Sequence, residues 1–371
     1  SSCYGDTLQN GEYTSSAPEN PADVLNWNMP KPEQGTYLID MSRENKAGYL
    51  FYEYYADGLL KIQNVKFTEF NTNKNVECWI YLRESSNLQM ENCYFDLNNA
   101  SPRKIVIWLG NSKENSIRNV KIKGIYGRGV YIDSCEGSVI LDQVQITGGD
   151  VGVFVNSSKD VTIRGDDTEI ELCCVYSGLL KAEGGIIKDN HYVSTTLREQ
   201  DCAVYLQGGM YTQTGNAKIQ TTTNGIWADD SRSGSAYLYG GIIENISESG
   251  KAGIGIGSKH SFGTVYVSGA TIRNFDTGLM TVYNLHITDG SITENKIGID
   301  ADYRYRCILN MSGGSVSKND DVGVRYYNNI QMTGGEICEN GLSGSNGGIC
   351  SCNQITMTDG RISGNKGHQG G

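Results

Sequence analysis

The sequence predicts an all-β solenoid: a coil of about 13 rungs in which each short strand stacks in parallel on its copy one rung later. Two recurring phrases and the lack of any sustained helical periodicity predict this class. The first phrase is apolar-x-apolar-x-[Gly/Asp]-Gly-x-apolar-x-x-Asn, and its clearest copies are Leu285–Asn295, Leu309–Asn319, Ile330–Asn340 and Ile355–Asn365. The fifth position of each copy falls at 289, 313, 334 and 359, which gives steps of 24, 21 and 25 residues. A period in this range is typical of solenoids.

The second phrase is [Gly]-apolar-x-apolar, and it alternates with the first. Its copies begin at Trp79, Gly129, Gly152, Gly225, Gly253, Gly278, Gly298, Gly323 and Gly348. Each repeat therefore carries two or three short strands of period 2, separated by Gly, Asp or Asn turns. Strands this short are not stable alone, and coiling pairs each of them with its copy in the next rung.

The alternation within each strand assigns side chains to faces. In the third copy of the first phrase, Ile330 and Met332 are predicted to point inward, and Gln331 and Thr333 outward. The closing Asn tolerates a left-handed bend, and its amide is expected to bond the equivalent Asn one rung away. The residues predicted to be structural in this way are Asn190, Asn295, Asn319, Asn340 and Asn365.

The N-terminal segment differs from the rest of the chain. Four of the five prolines lie in the first 32 residues. Proline lacks the N–H that a central strand donates, so residues 1–48 are predicted to form a cap and residues 49–371 the coil.

The charge balance excludes several classes of partner. The chain has 31 Lys and Arg against 42 Asp and Glu, a net charge of −11. Such a surface repels phosphate backbones and anionic lipids, so no nucleic-acid partner is expected. No stretch approaches the ~20 apolar residues of a transmembrane helix. The cysteines include no C-x-x-C pair, and most are predicted to be small apolar core residues.

The stacked phrases resemble the right-handed parallel β-helix of the pectate-lyase-like superfamily. The Met-Thr-Gly-Gly-x-Ile-x-x-Asn form is most similar to the Gly-rich repeats of bacterial surface and secreted β-helix proteins. The resemblance implies a right-handed coil and an extracellular or cell-surface location. It leaves the activity open, since the superfamily includes lyases, hydrolases, adhesins and phage tailspikes, and function must be argued from a site.

The densest acidic run is a candidate enzymatic or calcium site. It contains Asp166, Asp167, Glu169 and Glu171, with Arg164 nearby. Glu169 and Glu171 share one face of a strand, as a hard-cation site would require. The resemblance to pectate lyases implies calcium and a basic residue that abstracts a proton. The alternative is a solvated turn followed by a strand with an acidic outer face, and no cofactor.

A second acidic group is a candidate for glycoside hydrolysis. It contains Asp229 and Asp230 together with Asp300 and Asp302. Two carboxylates about 6.5–9.5 Å apart would suit an inverting mechanism. Aspartate after a strand is also ordinary turn chemistry.

A stripe of aromatic residues is the candidate binding surface. The outward position of the second phrase holds Tyr81, Tyr131, Phe154 and Trp227, and Ile107 is predicted to fill the rung between the first two. Aromatic rings in a row suit sugar faces or a protein partner. The same position farther on is assigned to Gly255, Met280, Asp300, Arg325 and Cys350, which lose that character, while Tyr237, Tyr266 and His286 form a shorter outward column on another strand.

The sequence also contains candidate modification sites and an uncapped C-terminal repeat. Asn99, Asn156, Asn245 and Asn310 lie in N-x-[ST] sequons, which are glycosylation sites if the host glycosylates secreted proteins. The repeat runs up to Gly371, so the C-terminal edge is expected either to continue into a longer array or to dock on another subunit head to tail. The favoured function is therefore a non-catalytic surface protein that binds a polysaccharide, glycan or protein subunit. The alternative is a polysaccharide lyase or glycoside hydrolase.

Overall fold

The computed structural model describes residues 6–9, 12–15, 37–40, 49–53, 58–63, 65–68, 78–83, 86–97, 105–190, 202–229, 234–343 and 346–368. Every regular element among these residues is a β-strand, which confirms the all-β prediction. The described strands form a parallel β-solenoid of about 11 turns, fewer than the 13 expected. Longer connections account for the difference: Ile186, for example, pairs with Lys218, a step of 32 residues.

The chain divides into two compact units. The first contains Ser1–Cys173, Gly178–Leu180 and Tyr192–Thr195. The second contains Cys174–Ser177, Lys181–His191 and Thr196–Gly371.

The strands of the first unit are short, and most of them pair in parallel. They are β1 (Asp6–Gln9), β2 (Glu12–Ser15), β3 (Tyr37–Asp40), β4 (Tyr49–Glu53), β5 (Gly58–Gln63), β6 (Val65–Thr68), β7 (Cys78–Arg83), β8 (Ser86–Leu97), β9 (Ile105–Gly110), β10 (Asn115–Gly124), β11 (Arg128–Asp133), β12 (Val139–Asp142), β13 (Gln145–Thr147), β14 (Val151–Asn156), β15 (Val161–Arg164) and β16 (Glu169–Glu171).

The remaining strands include two that contain residues of both units and fifteen that belong to the second. The first two are β17 (Cys173–Tyr176) and β18 (Leu179–Ala182). The others are β19 (Ile186–Lys188), β20 (Cys202–Gln207), β21 (Met210–Gln213), β22 (Lys218–Thr221), β23 (Asn224–Ala228), β24 (Ser235–Leu238), β25 (Ile242–Asn245), β26 (Ile254–Arg273), β27 (Thr277–Thr293), β28 (Ile297–Asp300), β29 (Ile308–Ser317), β30 (Val322–Arg325), β31 (Asn329–Cys338), β32 (Gly347–Cys350) and β33 (Gln354–Ser363).

The coil begins earlier than the sequence predicts. Residues 1–48 were expected to be a separate cap, but β2 pairs in parallel with β5, and β3 pairs in parallel with β6 over four residues. Among the strands described in this segment, β1 alone lacks a parallel partner, and it forms an antiparallel hairpin with β2. Proline clusters exclude strands locally, and the prolines here fall between β2 and β3 rather than within them.

The core of the first unit consists of stacked columns of identical register. Leu82, Leu109, Ile132 and Val155 are successive Cα partners, and each is fully buried. Because parallel strands lie ~4.8 Å apart, each apolar side chain packs directly on its copy in the next turn. The repeat thus assembles a continuous core from strands that bury little alone.

The second unit repeats this arrangement. Leu285, Leu309 and Ile330 form one buried column, and Gln331 and Thr333 point outward as predicted. In β33 the residues in register with the core, Ile355, Met357 and Ile362, are 46%, 42% and 37% exposed. They are exposed because the described residues include no strand stacked beyond β33.

The predicted asparagine ladder is present in the second unit. The Nδ2 of Asn295, Asn319 and Asn340 each donates to the Oδ1 of the next Asn, at 3.2, 2.8 and 3.0 Å, and Asn365 ends the series. Asn190, the fifth residue of the prediction, is also buried. The left-handed bend, however, falls one residue earlier than predicted, on Glu294, Lys318 and Glu339, with φ of 58°, 55° and 55°. The Asn itself keeps an ordinary φ, since its amide must point into the coil to reach its neighbours.

The cysteines follow the prediction of a core role. Seven of the described cysteines are buried: Cys78, Cys93, Cys135, Cys173, Cys174, Cys202 and Cys307. No described segment forms a helix with the length and apolar character needed to cross a membrane.

Candidate functional site

Four aromatic side chains form a continuous column on the outside of the first unit. Strand pairing makes Trp108 the Cα partner of both Tyr81 and Tyr131, and Phe154 the partner of Tyr131. Successive ring centroids are 4.9, 4.8 and 5.1 Å apart, and the rings meet edge to face. The spacing is that of the turns themselves, so the coil holds the rings in their preferred T-shaped contact.

Trp108 is the member of this column that the sequence analysis missed. Ile107 was expected at this position, but it pairs with Ile80 and Val130 and is fully buried in the core. The glycine marks the register of the second phrase, but β9 has Val106 where β11 has Gly129. Without that glycine, β9 was assigned a register that is wrong by one residue. Aligning the apolar-aromatic-apolar triplets themselves would have identified Trp108.

The column presents ring edges and one guanidinium rather than open ring faces. Tyr81 is 7% exposed, whereas Trp108, Tyr131 and Phe154 are half-buried. The guanidinium carbon of Arg128 lies 4.8 Å from the Tyr131 centroid and 4.2 Å from the Phe154 centroid. A cation over two rings is favourable and fixes the Arg128 side chain against the column.

Polar groups border the column beside Tyr131. The Asn156 Nδ2 donates to the Asp133 carboxylate at 2.8 Å. Burial, and then the Asp133 charge, raises the pKa of Tyr131, although Arg128 and Asn156 partly oppose this rise. The Tyr131 hydroxyl is therefore protonated at neutral pH, so it both donates and accepts hydrogen bonds. Aromatic edges, a hydroxyl, a carboxylate, an amide and a guanidinium converge on one surface.

The comparison with protein families matches the part of the chain that carries this column. Residues 45–168 match the family model described as a right handed beta helix region. The match covers 124 of the 371 residues, and over that range it supports a right-handed coil. The fold of the described residues is a parallel β-solenoid. Comparison with the curated proteins and with the solved structures gives no match.

Trp227, the fourth residue of the predicted stripe, lies in the second unit. Its Cα partners are Tyr205 and Gly257, and it is only 5% exposed. Gly257, and not Gly255 as predicted, occupies the position of Trp227 in the next turn. The residues at this position in the following turns are Met280, Asp300, Arg325 and Cys350, as predicted. Trp227 therefore contributes little surface for a ligand.

The second acidic group does not converge on one point. The Tyr205 hydroxyl donates to Asp229 at 2.7 Å, and the Arg325 guanidinium donates to Asp300 at 2.7 and 3.1 Å. Asp229 follows β23 and Asp300 ends β28, and these two strands are three turns apart. Three turns correspond to about 14 Å at the spacing of parallel strands. Asp230 lies outside the described residues.

The Tyr205–Asp229 pair is a poor source of a nucleophile. Burial raises the pKa of Tyr205, and the Asp229 hydrogen bond and charge raise it further. The hydroxyl thus remains protonated at any physiological pH. The pair fixes the corner after β23 rather than supplying a reactive oxygen.

The first acidic run lies on a solvent-facing turn and strand. Asp166 and Asp167 are exposed, and Arg164 pairs with Asp142 at 3.0 Å rather than with the run. Glu171 accepts a hydrogen bond from the Gly148 N–H at 2.8 Å. Within the described part of the chain, no three His, Cys, Asp or Glu side chains are grouped closely enough to hold a metal ion. The calcium site remains a prediction from sequence.

The four sequons have different surroundings. Asn99 lies outside the described residues, Asn156 is held by Asp133, and Asn310 is half-buried on the outer face of β29. Asn245 is 4% exposed, and its Nδ2 donates to the carbonyls of Thr223 and Ala252 at 3.2 and 2.9 Å. The folded β-helix does not present this nitrogen to a glycosyltransferase.

The predicted column of Tyr237, Tyr266 and His286 is also present, in the second unit. Its rings are parallel, with centroids 5.2 and 4.4 Å apart. Burial lowers the pKa of His286. Because a positive charge is disfavoured there, the neutral imidazole is the form that the stack stabilises.

This shift predicts a pH dependence of stability. The unfolded chain binds a proton on His286 near pH 6.5, while the folded chain resists it until a lower pH. Stability from His286 is therefore fully present above about pH 6.5 and falls as the pH drops toward the folded-state pKa. We expect the melting temperature of His286→Tyr to fall less between pH 7 and pH 5 than that of the parent chain. Equal slopes would show that His286 titrates normally.

Proposed function

We propose that this β-helix is a non-catalytic binding protein, whose ligand is a glycan held along the aromatic column of the first unit. The observation that carries the proposal is the convergence of the half-buried rings of Trp108, Tyr131 and Phe154 with the polar groups of Arg128 and Asp133. A sugar has apolar C–H faces and a ring of hydroxyls, and it is bound by surfaces that offer both kinds of contact.

The rigidity of the coil supports this proposal. Each ring is fixed by the two turns that flank it, so little side-chain entropy remains to be lost when a ligand binds. The rings also repeat every turn, so a linear ligand can contact several of them at once. A surface protein that adheres to a glycan or presents such a face to another subunit would use these properties, and the extracellular location is part of the proposal.

The test compares ligand binding by three variants on an array of plant, bacterial and host glycans. The double change Trp108→Ser with Tyr131→Ser removes the centre of the column and should weaken binding by at least about tenfold, or about 1.4 kcal/mol. Tyr131→Phe keeps the ring and removes only the hydroxyl, so a smaller loss is expected. The matched control is Tyr239→Ser, an exposed tyrosine of the second unit.

Thermal unfolding separates a lost site from a lost fold. If the double variant melts like the control and still binds every glycan as the parent chain does, the column is not the binding surface. If no glycan on the array binds the parent chain, the proposed ligand class is wrong.

The alternative is a polysaccharide lyase or glycoside hydrolase that uses its outward-facing acids. Incubation with pectin and alginate would reveal turnover as new reducing ends or as ultraviolet-absorbing unsaturated products. Turnover that Asp229→Ala or Asp166→Ala abolishes would replace the binding proposal with the enzymatic one.

A further inference from the structure

One corner of the second unit is longer than its neighbours. Met280 pairs with Asp300, and Asn284 pairs with Ile308. The chain therefore advances four residues from Met280 to Asn284 but eight residues from Asp300 to Ile308. In the next turn the corresponding distance along the chain is again four residues, from Arg325 to Asn329, because Asp300 pairs with Arg325 and Ile308 with Asn329. Four residues are therefore inserted into this corner, in the segment Asp302-Tyr-Arg-Tyr-Arg306. An insertion that stacking does not require is a place to look for function.

A second long corner lies two turns away on the same side. Gly257 pairs with Met280, and Thr264 pairs with Asn284. The chain therefore uses seven residues from Gly257 to Thr264 where the next turn uses four. The short corner that contains Tyr283 thus lies between two long ones, which are about 10 Å apart at the spacing of parallel strands. His260, on one long corner, is close enough to Asp302, on the other, to help lower the pKa of that carboxyl, although Arg304 has the larger effect.

Tyrosines are unusually exposed here. Tyr303 is 81% exposed, Tyr283 44% and Tyr326 38%. Large exposed rings grouped on one surface are typical of interaction sites, and tyrosine and arginine are enriched where proteins bind one another most tightly.

The charge of this surface is opposite to that of the whole chain. Arg304 pairs with Asp302, and Arg325 pairs with Asp300 at 2.7 Å. Lys259 and Arg306 are exposed and have no carboxylate partner among the described residues. Four cationic side chains therefore lie near three carboxylates, those of Asp300, Asp302 and Asp321, on a chain whose net charge is −11. An anionic partner would be attracted to this surface and repelled elsewhere.

The guanidinium groups restrict what the rings can contact. Arg304 lies 5.9 Å from the Tyr305 centroid and Arg325 lies 5.2 Å from the Tyr326 centroid. These ring faces are partly covered, so the hydroxyls and the ring edges are the groups left for a partner. The hydroxyls and the positive ring edges suit the backbone carbonyls and carboxylates of a polypeptide.

We propose that this surface binds an acidic stretch of another protein. We name it the corner patch, and it contains Lys259, His260, Tyr283, Asp300, Asp302–Arg306, Arg325 and Tyr326. Tyr303 is the central contact, and Lys259 and Arg306 attract the carboxylates of the partner. Arg304 and Arg325 hold the rings in place and are themselves fixed by Asp302 and Asp300. The corner patch is independent of the aromatic column of the first unit.

The experiment uses labelled poly-L-glutamate as the acidic probe and measures fluorescence anisotropy at low and at physiological salt. The parent chain should bind the probe, and salt should weaken the binding. Tyr303→Ser with Arg306→Glu should reduce affinity by at least about tenfold, whereas Tyr303→Phe, which keeps the ring edge and removes only the hydroxyl, should reduce it less. Arg118→Glu, an exposed charge reversal in the first unit, is the matched control and should change affinity much less.

Each outcome bears on the proposal. Failure of the parent chain to bind the probe at low salt would overturn it, and so would equal binding by the double variant and the Arg118→Glu control. Binding of polygalacturonate in place of poly-L-glutamate would assign the corner patch to acidic glycans instead. Trp108→Ser should leave binding of poly-L-glutamate unchanged, so this result is separable from failure of the glycan proposal.

Discussion

Replacing Asn319 by alanine is expected to lower the free energy of unfolding of the second unit by about 3–4 kcal/mol. The Asn319 side chain is fully buried. Its Oδ1 accepts from the backbone N–H and the Nδ2 of Asn295, at 3.1 and 3.2 Å. Its Nδ2 donates to the Ile292 carbonyl at 3.2 Å and to the Asn340 Oδ1 at 2.8 Å. Alanine would leave two buried donors without partners, the N–H and one Nδ2 hydrogen of Asn295. It would also remove one bond from the Ile292 carbonyl and one from the Asn340 Oδ1, which still accepts from the backbone N–H of residue 319.

Urea unfolding followed by circular dichroism measures this effect. Asn310→Ala, on the outer face of the same turn, is the matched control and should change stability by less than about 1 kcal/mol. A similar loss in the two variants would mean that the ladder adds no stability beyond that of an ordinary surface asparagine.

Replacing Gly298 by alanine is the second large effect, with an expected loss of about 2–3 kcal/mol. A Cβ built on Gly298 would lie 2.5 Å from the Gly323 carbonyl oxygen and 2.8 Å from the Asn319 Nδ2. Backbone and a fully bonded amide cannot move away cheaply, so the strand itself must shift. The same close approach occurs at Gly278, Gly323 and Gly348, each beside an Asn of the ladder.

The control for Gly298 is Gly367, where the nearest atom to the built Cβ is 3.3 Å away. Gly367→Ala should be tolerated with a small change in melting temperature. If Gly298→Ala melted like this control, the glycine of the second phrase would have another purpose than making room for the ladder.

These two residues connect the two phrases of the sequence. The Asn that closes the first phrase fills the space that the Gly of the second phrase leaves empty one turn away. Both are therefore accounted for by stacking, and neither is a candidate for ligand binding. The candidates for function are therefore the residues at which the repeat varies, namely those of the aromatic column and the corner patch.

The candidate site was predictable in part. Tyr81, Tyr131 and Phe154 are found in one column because period-2 alternation and the repeat together fix which residues share a face. Trp108 was missed because β9 has Val106 in place of the glycine that marks the register of the second phrase, and one residue of error reverses inside and outside. Trp227 lies on the analogous position of a later strand, but its neighbours cover it, and burial by neighbours does not follow from periodicity.

The sequence by itself determined that this protein is a coil of stacked β-strands, which residues of the first phrase enter the core, and that asparagines bond one another along it. Those properties follow from local periodicity repeated many times, so each copy supports the same conclusion. Only the tertiary structure decided that Arg128 lies over two rings, that Asp229 and Asp300 are engaged by Tyr205 and Arg325, and that two long corners flank Tyr283. These features depend on side-chain direction and on the lengths of non-repeating connections, and neither is encoded in the repeat.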